Sequence, residues 1–321
     1  MTDHPSWPGP ASIRSRLILE TAAAITAADG EAYREAEVRL LPQRGTKRPL
    51  VMTAASTVDC VERVVTRELD LSFINPSSAL TVAYVGKSSQ FPTPQPVRSI
   101  AVLPSLDQCL LAVKASTGLT HIEDIARARL PLRVSVRGSN THWLHCMLED
   151  IFRACGFSGE DLRAWGGELR KEGKIPGPGD LKFQAFARGE IDGIFDEGPV
   201  RWATAAIDAG MRVLQLREET VARLEAIGYR RAWLDRREYP GLPENVLTLD
   251  FSGWPLFVRA DADDTAVRAI CTGLEARTAT IPWEGPGPLP LATMCRGGEG
   301  APLDVPLHAA AARFWTERGY L

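Results

Sequence analysis

Short apolar runs that break off in polar loops and pass at once into helical patterns constrain this 321-residue chain more than any other feature. The clearest run is Leu132–Val136, followed by Arg137-Gly138-Ser139-Asn140-Thr141 and a helical stretch from His142 to Cys155. Residues 69–75 run into Asn75-Pro76-Ser77-Ser78. Ile191–Phe195 runs into Asp196-Glu197-Gly198-Pro199, ahead of a helix at Arg201–Ala209. Apolar runs of this length suit buried strands, and strands alternating with helices predict an α/β chain with parallel sheets.

The remaining pattern fills in around these units. Residues 12–28 and Thr53–Glu68 read as helices, the second capped by Ser56 or Thr57, with a short strand at Val38–Leu41 and a turn-rich QRGTKRP between them. Two β-like runs, Ile100–Leu103 and Cys109–Val113, follow the proline-rich FPTPQP. Thr120–Arg127 predicts a helix with Thr120 and Glu123 as a capping box. Helices are also expected at Asp180–Arg188, Asp263–Arg277 and Leu307–Arg318, the last two separated by IPWEGPGPLP. No internal repeat of fixed period is present.

Composition narrows the function classes. The length allows two domains or one large one. A net charge near −3 advertises no broad basic field, so nucleic acid is not an expected partner. No stretch approaches the roughly 18 apolar residues of a membrane span, so no membrane insertion is expected. At the N-terminus Asp3, His4 and three prolines precede a short LILETAAAI run broken by Glu20. That is unlike a secretory signal and predicts a cytoplasmic chain, or a periplasmic one if the start is truncated. Six cysteines (Cys60, Cys109, Cys146, Cys155, Cys271, Cys295) show no CxxC pairing, which predicts reduced, partly buried thiols.

In open α/β sheets the ligand site lies beyond the carboxyl ends of the strands. Three such ends carry the candidate ligand-binding residues: Asn75, Ser77 and Ser78; Arg137, Ser139, Asn140 and Thr141; Asp196 and Glu197. The second is the most informative. Its glycine permits a sharp turn, the next three side chains offer polar donors, and the following helix presents free N–H groups. Arg137 adds a charge able to grip a carboxylate through two hydrogen bonds. The plainer alternative is that Ser-Asn-Thr only caps the helix. Asp196 and Glu197 can serve as acid or base, as acceptors for a ligand, or as a cap. His142, His145 and Cys146 share one helical turn, but a zinc site needs three or four ligands and no further His/Cys pair lies near. A packed or solvated helix face is the competing reading, and neither metal nor cofactor is expected. The arginines of Tyr229-Arg230-Arg231 and Arg236-Arg237 read as a solvated surface, or as a clamp for a dicarboxylate.

With these residues in place, the segment VRSIAVLPSLDQCLLAVKASTGLTHIEDIARARLPLRVSVRGSNT resembles the passage from lobe one to lobe two in TAXI-type solute receptors of TRAP transporters. Thr117-Gly118-Leu119 with Asp124-Ile125, and then Gly138-Ser139-Asn140-Thr141, stand at that family's motif positions. FARGEIDGIFDEGPV, REYPGLPENVLTLDFSGWPLFVRAD and PLHAAAARFWTERGYL are similar to later family segments in the same order, over roughly residues 50–321. The resemblance implies a two-lobed fold of the type II periplasmic-binding-protein kind. Lobe one would comprise residues 1–104 with 251–321, lobe two residues 105–250, with crossings near Leu103–Gln108 and Thr248–Gly253. It implies a small carboxylate ligand in the cleft, and a membrane-transporter partner only if the chain is exported. Three family features have no counterpart: the glycine-rich, double-tyrosine first loop, the Gly-Ser that reads Ala54-Ala55-Ser56, and the asparagine that reads Cys60. A cytoplasmic enzyme on the same fold, such as a decarboxylase using His142, Asp196 or Glu197, is the alternative. A regulatory or interaction module is a third.

Overall fold

The computed structural model describes residues 10–29, 35–42, 48–55 and 57–321. Ser56, one of the two expected caps, and residues 43–47 of the turn-rich segment lie outside the described residues. The chain begins with α1 (Pro10–Ala28), the pair β1 (Glu37–Leu40) and β2 (Leu50–Thr53), α2 (Asp59–Val65), β3 (Ser72–Phe73), α3 (Ser77–Val85) and β4 (Val97–Leu103). It continues through β5 (Cys109–Lys114), α4 (Glu123–Ala128), β6 (Arg133–Val136), α5 (Trp143–Ala154), α6 (Gly159–Ala164) and β7 (Glu168–Lys171). Next come α7 (Leu181–Ala187), β8 (Gly193–Glu197), α8 (Pro199–Asp208), β9 (Met211–Leu214), α9 (Glu218–Glu225), β10 (Arg231–Leu234) and β11 (Val246–Leu249). The last part holds β12 (Trp254–Arg259), α10 (Asp264–Ala276), α11 (Leu291–Arg296) and α12 (Ala309–Glu317).

Two principal sheets divide the molecule into two α/β lobes. One has the order β3-β12-β4, the other β7-β6-β8-β5-β9. The chain leaves the first sheet after Leu103 and enters the second at Cys109. It returns between Leu249 and Trp254, where β12 inserts between β3 and β4. The two crossings lie side by side: Phe251 N–H donates to Asp107 O (2.8 Å), Gly253 N–H to Ser105 O (3.0 Å), and Gln108 pairs with Asp250.

The five-stranded sheet is mixed and the three-stranded one antiparallel, which corrects the expectation of parallel sheets. Helical connections keep β6 parallel to β7 and β8, as crossover geometry requires. β5 enters straight from the other lobe with no helix before it, and runs antiparallel to β8 and β9. β12, the other strand delivered by a crossing, is antiparallel to β3 and β4.

Strand alternation splits the core. Leu110 and Ala112 of β5 face Trp202, Ala203 and Ala206 of α8, while Cys109, Leu111 and Val113 belong to the larger cluster on the opposite face. That cluster joins the lobes, taking Val61 and Leu80 from one and Trp143 and Phe152 from the other, with Phe91 stacked on Trp143. A third cluster packs α10, α11 and α12 on the first sheet around Trp315, whose indole N–H donates to Ile100 O at 2.9 Å.

Two local expectations are corrected. Residues 50–53 pair with β1 instead of opening a helix at Thr53, because Val51 and Thr53 alternate with Met52 across a half-buried ribbon. The Thr120–Glu123 capping box does not form. Asp124 Oδ2 accepts from the N–H of His121 and Thr120 instead, and Glu123 accepts from Arg217 N–H. All six cysteines carry free thiols. Among the described residues no helix is long and apolar enough to cross a membrane.

Candidate functional site

Where β6 ends, the loop 137–142 turns into α5. Gly138 is required by a close approach: its N–H donates to Gly173 O, and a Cβ there would stand 2.9 Å from the same oxygen. His142, in extended conformation, is the N-cap; its Nδ1 accepts from Leu144 N–H at 3.3 Å. Ser139 and Thr141 place their hydroxyls 3.3 Å apart. Asn140 turns outward and accepts from Lys171 Nζ.

β8 runs further than its apolar run predicted, so Asp196 and Glu197 belong to the strand itself. Together with Arg137 they form a buried ionic cluster. Arg137 Nη2 donates to Asp196 Oδ1 and, at 2.8 Å, to Glu197 Oε1. Lys182 Nζ, from the first turn of α7, donates to Asp196 Oδ2 at 2.7 Å. The side chains of Lys182 and Asp196 are 1% and 0% exposed, those of Arg137 and Glu197 12% and 9%. Two cations thus meet two carboxylates in a nearly dry setting, where an unmatched charge is costly. Burial, with Asp196 beside it, pushes the Glu197 carboxyl up to about 7 against the opposing pull of Arg137 and Lys182. Burial and then Arg137 push His142 down to about 3, so its ring is neutral, with Nε2 3.7 Å from Glu197 Oε1.

This cluster forms one wall of a cleft of about 420 Å³ between the lobes. Arg137, Ser139, Thr141, His142, Lys174 and Glu197 line it from the second lobe. Ala54, Thr57, Phe73, Asn75 and Trp254 line it from the first, joined by Glu35. Phe73 and Trp254 are neighbouring rings with centroids 5.4 Å apart. The lobes touch at the rim, where Val58 N–H donates to Thr141 O.

The structure therefore brings Asn75, Arg137, Ser139, Thr141, His142 and Glu197 together in the cleft lining. Asn140 lies outside it. Asp196 is sealed behind Arg137 and Lys182. Ser77 and Ser78 are buried in the first turn of α3, with hydroxyls that find no hydrogen-bond partner among the described residues. His145 Nε2 contacts Ser139 O, and Cys146 Sγ contacts Gln90, so the three side chains of that turn point at different partners. No group of three or more His, Cys, Asp or Glu able to hold a metal occurs among the described residues. Of the arginine run, Arg230 pairs with Asp304, Arg231 with Glu225 and Glu218, and Arg237 with Asp235. Tyr229 is core, its hydroxyl donating to Asp150 at 2.8 Å.

Sequence reasoning missed Lys182, Phe73, Trp254 and Asp107. Lys182 had a signal: it shares a helical face with the apolar Ala185 and Phe186. Asp107 lies in the first crossing. Its Oδ1 accepts from Gly198 N–H at 2.8 Å and Gln108 N–H at 2.7 Å. Burial, and next the Glu197 charge, push this carboxyl up to about 7.

No protein-family model matches this chain, and no curated protein does. Among solved structures, one from Bordetella bronchiseptica RB50 is similar at 12% identity, with 82% of this chain and 86% of that chain covered and a TM-score of 0.39. PhnD1 from Prochlorococcus marinus, in complex with methylphosphonate, is similar at 12% identity, 70% of its length, 71% of this chain and TM-score 0.35. The ATP phosphoribosyl transferase complex of Thermotoga maritima is similar at 11% identity, 90% of its length, 80% of this chain and TM-score 0.32. Likenesses this weak carry no ligand and no activity over to this chain.

Proposed function

We propose that this chain binds a small, carboxylate-bearing organic molecule between its lobes, in the manner of the TAXI-type receptors its sequence resembles. The observation that carries the reading is the cleft itself. Loops at the ends of β3, β6 and β8 converge from two lobes on one cavity of about 420 Å³, a size suited to a small metabolite. Ser139 and Thr141 offer hydroxyl donors, Arg137 and Lys174 positive charge, and Phe73 with Trp254 an apolar wall. In this reading residues 1–104 with 251–321 and residues 105–250 act as two bodies that close about the paired crossings.

One observation favours an acid–base enzyme instead: Glu197, held near 7 beside a neutral imidazole in a cleft. Against it, His142 is spent as a helix cap, and among the described residues of the cleft lining no nucleophile stands ordered by a base. Asp196, the third catalytic candidate, faces Lys182 and Arg137 instead of the cleft. Calorimetry with amino acids, dicarboxylates and aromatic acids, with product analysis on the same mixtures, tests the choice. One class should give saturable one-to-one heat without turnover, weakened about tenfold or more in the Ser139→Ala/Thr141→Val variant. Turnover that disappears in His142→Ala protein with affinity retained would establish the enzyme instead.

A further inference from the structure

Resting on that reading, we infer that Glu197 is an internal counter-ion which an anionic ligand displaces from Arg137, and that binding takes up one proton at Glu197. With Glu197 ionised, Arg137 and Lys182 balance Asp196 and Glu197, so above about pH 7 the cluster is neutral before any ligand arrives. A carboxylate brought against Arg137 would make it net negative in a buried setting, where an uncompensated charge is expelled or neutralised.

Only one of the two carboxylates can yield. Asp196 is wholly buried, with one oxygen on Lys182 and the other on Arg137. Glu197 lines the cleft, holds Arg137 through Oε1 alone, and has a buried Oε2 with no hydrogen-bond partner among the described residues. Protonation turns that orphan acceptor into a donor, frees one N–H of Arg137 Nη2 and leaves the cluster one positive charge ahead, which the ligand cancels.

The groups facing Glu197 are Arg137 at the end of β6, His142 at the start of α5 and Asp196 beside it on β8. Lys182 of α7 and Asp107 of the crossing complete its surroundings, with Lys174 and Glu35 along the cleft. His142 is held neutral through the working range, so it supplies no compensating proton. Asp107 titrates near the same pH as Glu197 and is a competing proton site.

The sign follows from linkage. Below about pH 7 Glu197 is already protonated and binding should not depend on pH. Above it, each pH unit weakens binding about tenfold, so the dissociation constant should rise about 30-fold between pH 5.5 and 8.5. Calorimetry at both pH values, in buffers of differing ionisation heat, counts the protons. About one should enter per ligand at pH 8.5, and almost none at pH 5.5. Glu197→Gln, which mimics the neutral carboxyl, should bind equally at both pH values, and Asp107→Asn should keep the tenfold-per-unit slope with its onset moved to lower pH.

Carboxylate binding with no proton uptake at pH 8.5 would overturn the inference and leave the binding reading intact. So would a dependence that survives Glu197→Gln and vanishes in Asp107→Asn. No binding of any carboxylate at either pH would remove the reading beneath it. If Glu197→Gln fails to fold, the wild-type proton count still decides.

Discussion

Lys182 is the residue on which the buried cluster can be tested without touching the cleft. Lys182→Met removes one of two cations and keeps most of the side chain's volume, leaving Arg137 alone against Asp196 and Glu197. Breaking a fully buried pair costs about 3–5 kcal/mol. Asp196 retains its bond from Arg137, which puts the expected loss at the low end, about 3 kcal/mol at pH 8. The loss should also depend on pH. Lys182 holds the Glu197 carboxyl down, so its removal raises that carboxyl further above about 7. Between pH 6 and 8 the variant keeps a proton that the wild type releases near 7, and the gap widens by up to about 1.4 kcal/mol.

Urea unfolding at pH 6 and pH 8, with unchanged slopes, measures both quantities. The double variant Lys182→Met/Asp196→Asn should lose less than the two single losses added, because the residues are in direct contact. A loss below about 1 kcal/mol at pH 8, or a loss no smaller at pH 6, would show that water reaches the pair and that its charges are not coupled to Glu197.

Three further outcomes follow from the geometry. Folded-state carboxyls raised from 4.5 and 3.8 to about 7, at Glu197 and Asp107, mean that stability falls as pH rises from about 5 to 7. The fall should reach about 3 kcal/mol for Glu197 alone, and Glu197→Gln should flatten it in urea midpoints taken across that range. Tyr229→Phe takes the hydroxyl from Asp150 Oδ2 and leaves that carboxylate with Ser89, which should cost about 1–3 kcal/mol by thermal melting. Gly228→Ala should cost about 2 kcal/mol or more in the same assay. The residue sits at φ +113°, and a Cβ there would stand 2.8 Å from Val82 N in α3, which is backbone and cannot swing aside.

What could be read from the sequence was what local pattern controls. The α/β layout, the strand at 133–136 and the turn into α5 follow from apolar runs cut by glycine and polar loops. So does the acidic pair at the end of β8. Strand direction was not legible, because β5 takes its sense from the lobe it leaves and its own residues do not encode that. The cluster was hidden for the same reason. Arg137 lies 59 and 60 positions from the carboxylates it binds, so a strand-end arginine reads as available when the fold has already occupied it. Ser77 and Ser78 open α3 and Asn140 sits in the loop before α5, all in segments of the right composition, yet a one-residue rotation of the chain there decides between cleft, core and solvent.

In the proposed binding mode the same occupied arginine would tie ligand binding to the crossing. Asp107 holds the first crossing in place through Gly198 N–H, one residue beyond Glu197, and its backbone carbonyl accepts from Phe251 in the second crossing. A ligand that pushes Glu197 off Arg137 therefore acts on a turn bonded to the segments about which the lobes would move. The coupling is electrostatic as well as mechanical: each carboxyl raises the other's cost of ionising, so a proton gained at Glu197 eases ionisation at Asp107 and strengthens its hold on Gly198. In the proposed binding mode, displacement in the cleft and tightening of the crossing would be two consequences of one proton, and closure would require no separate signal between them.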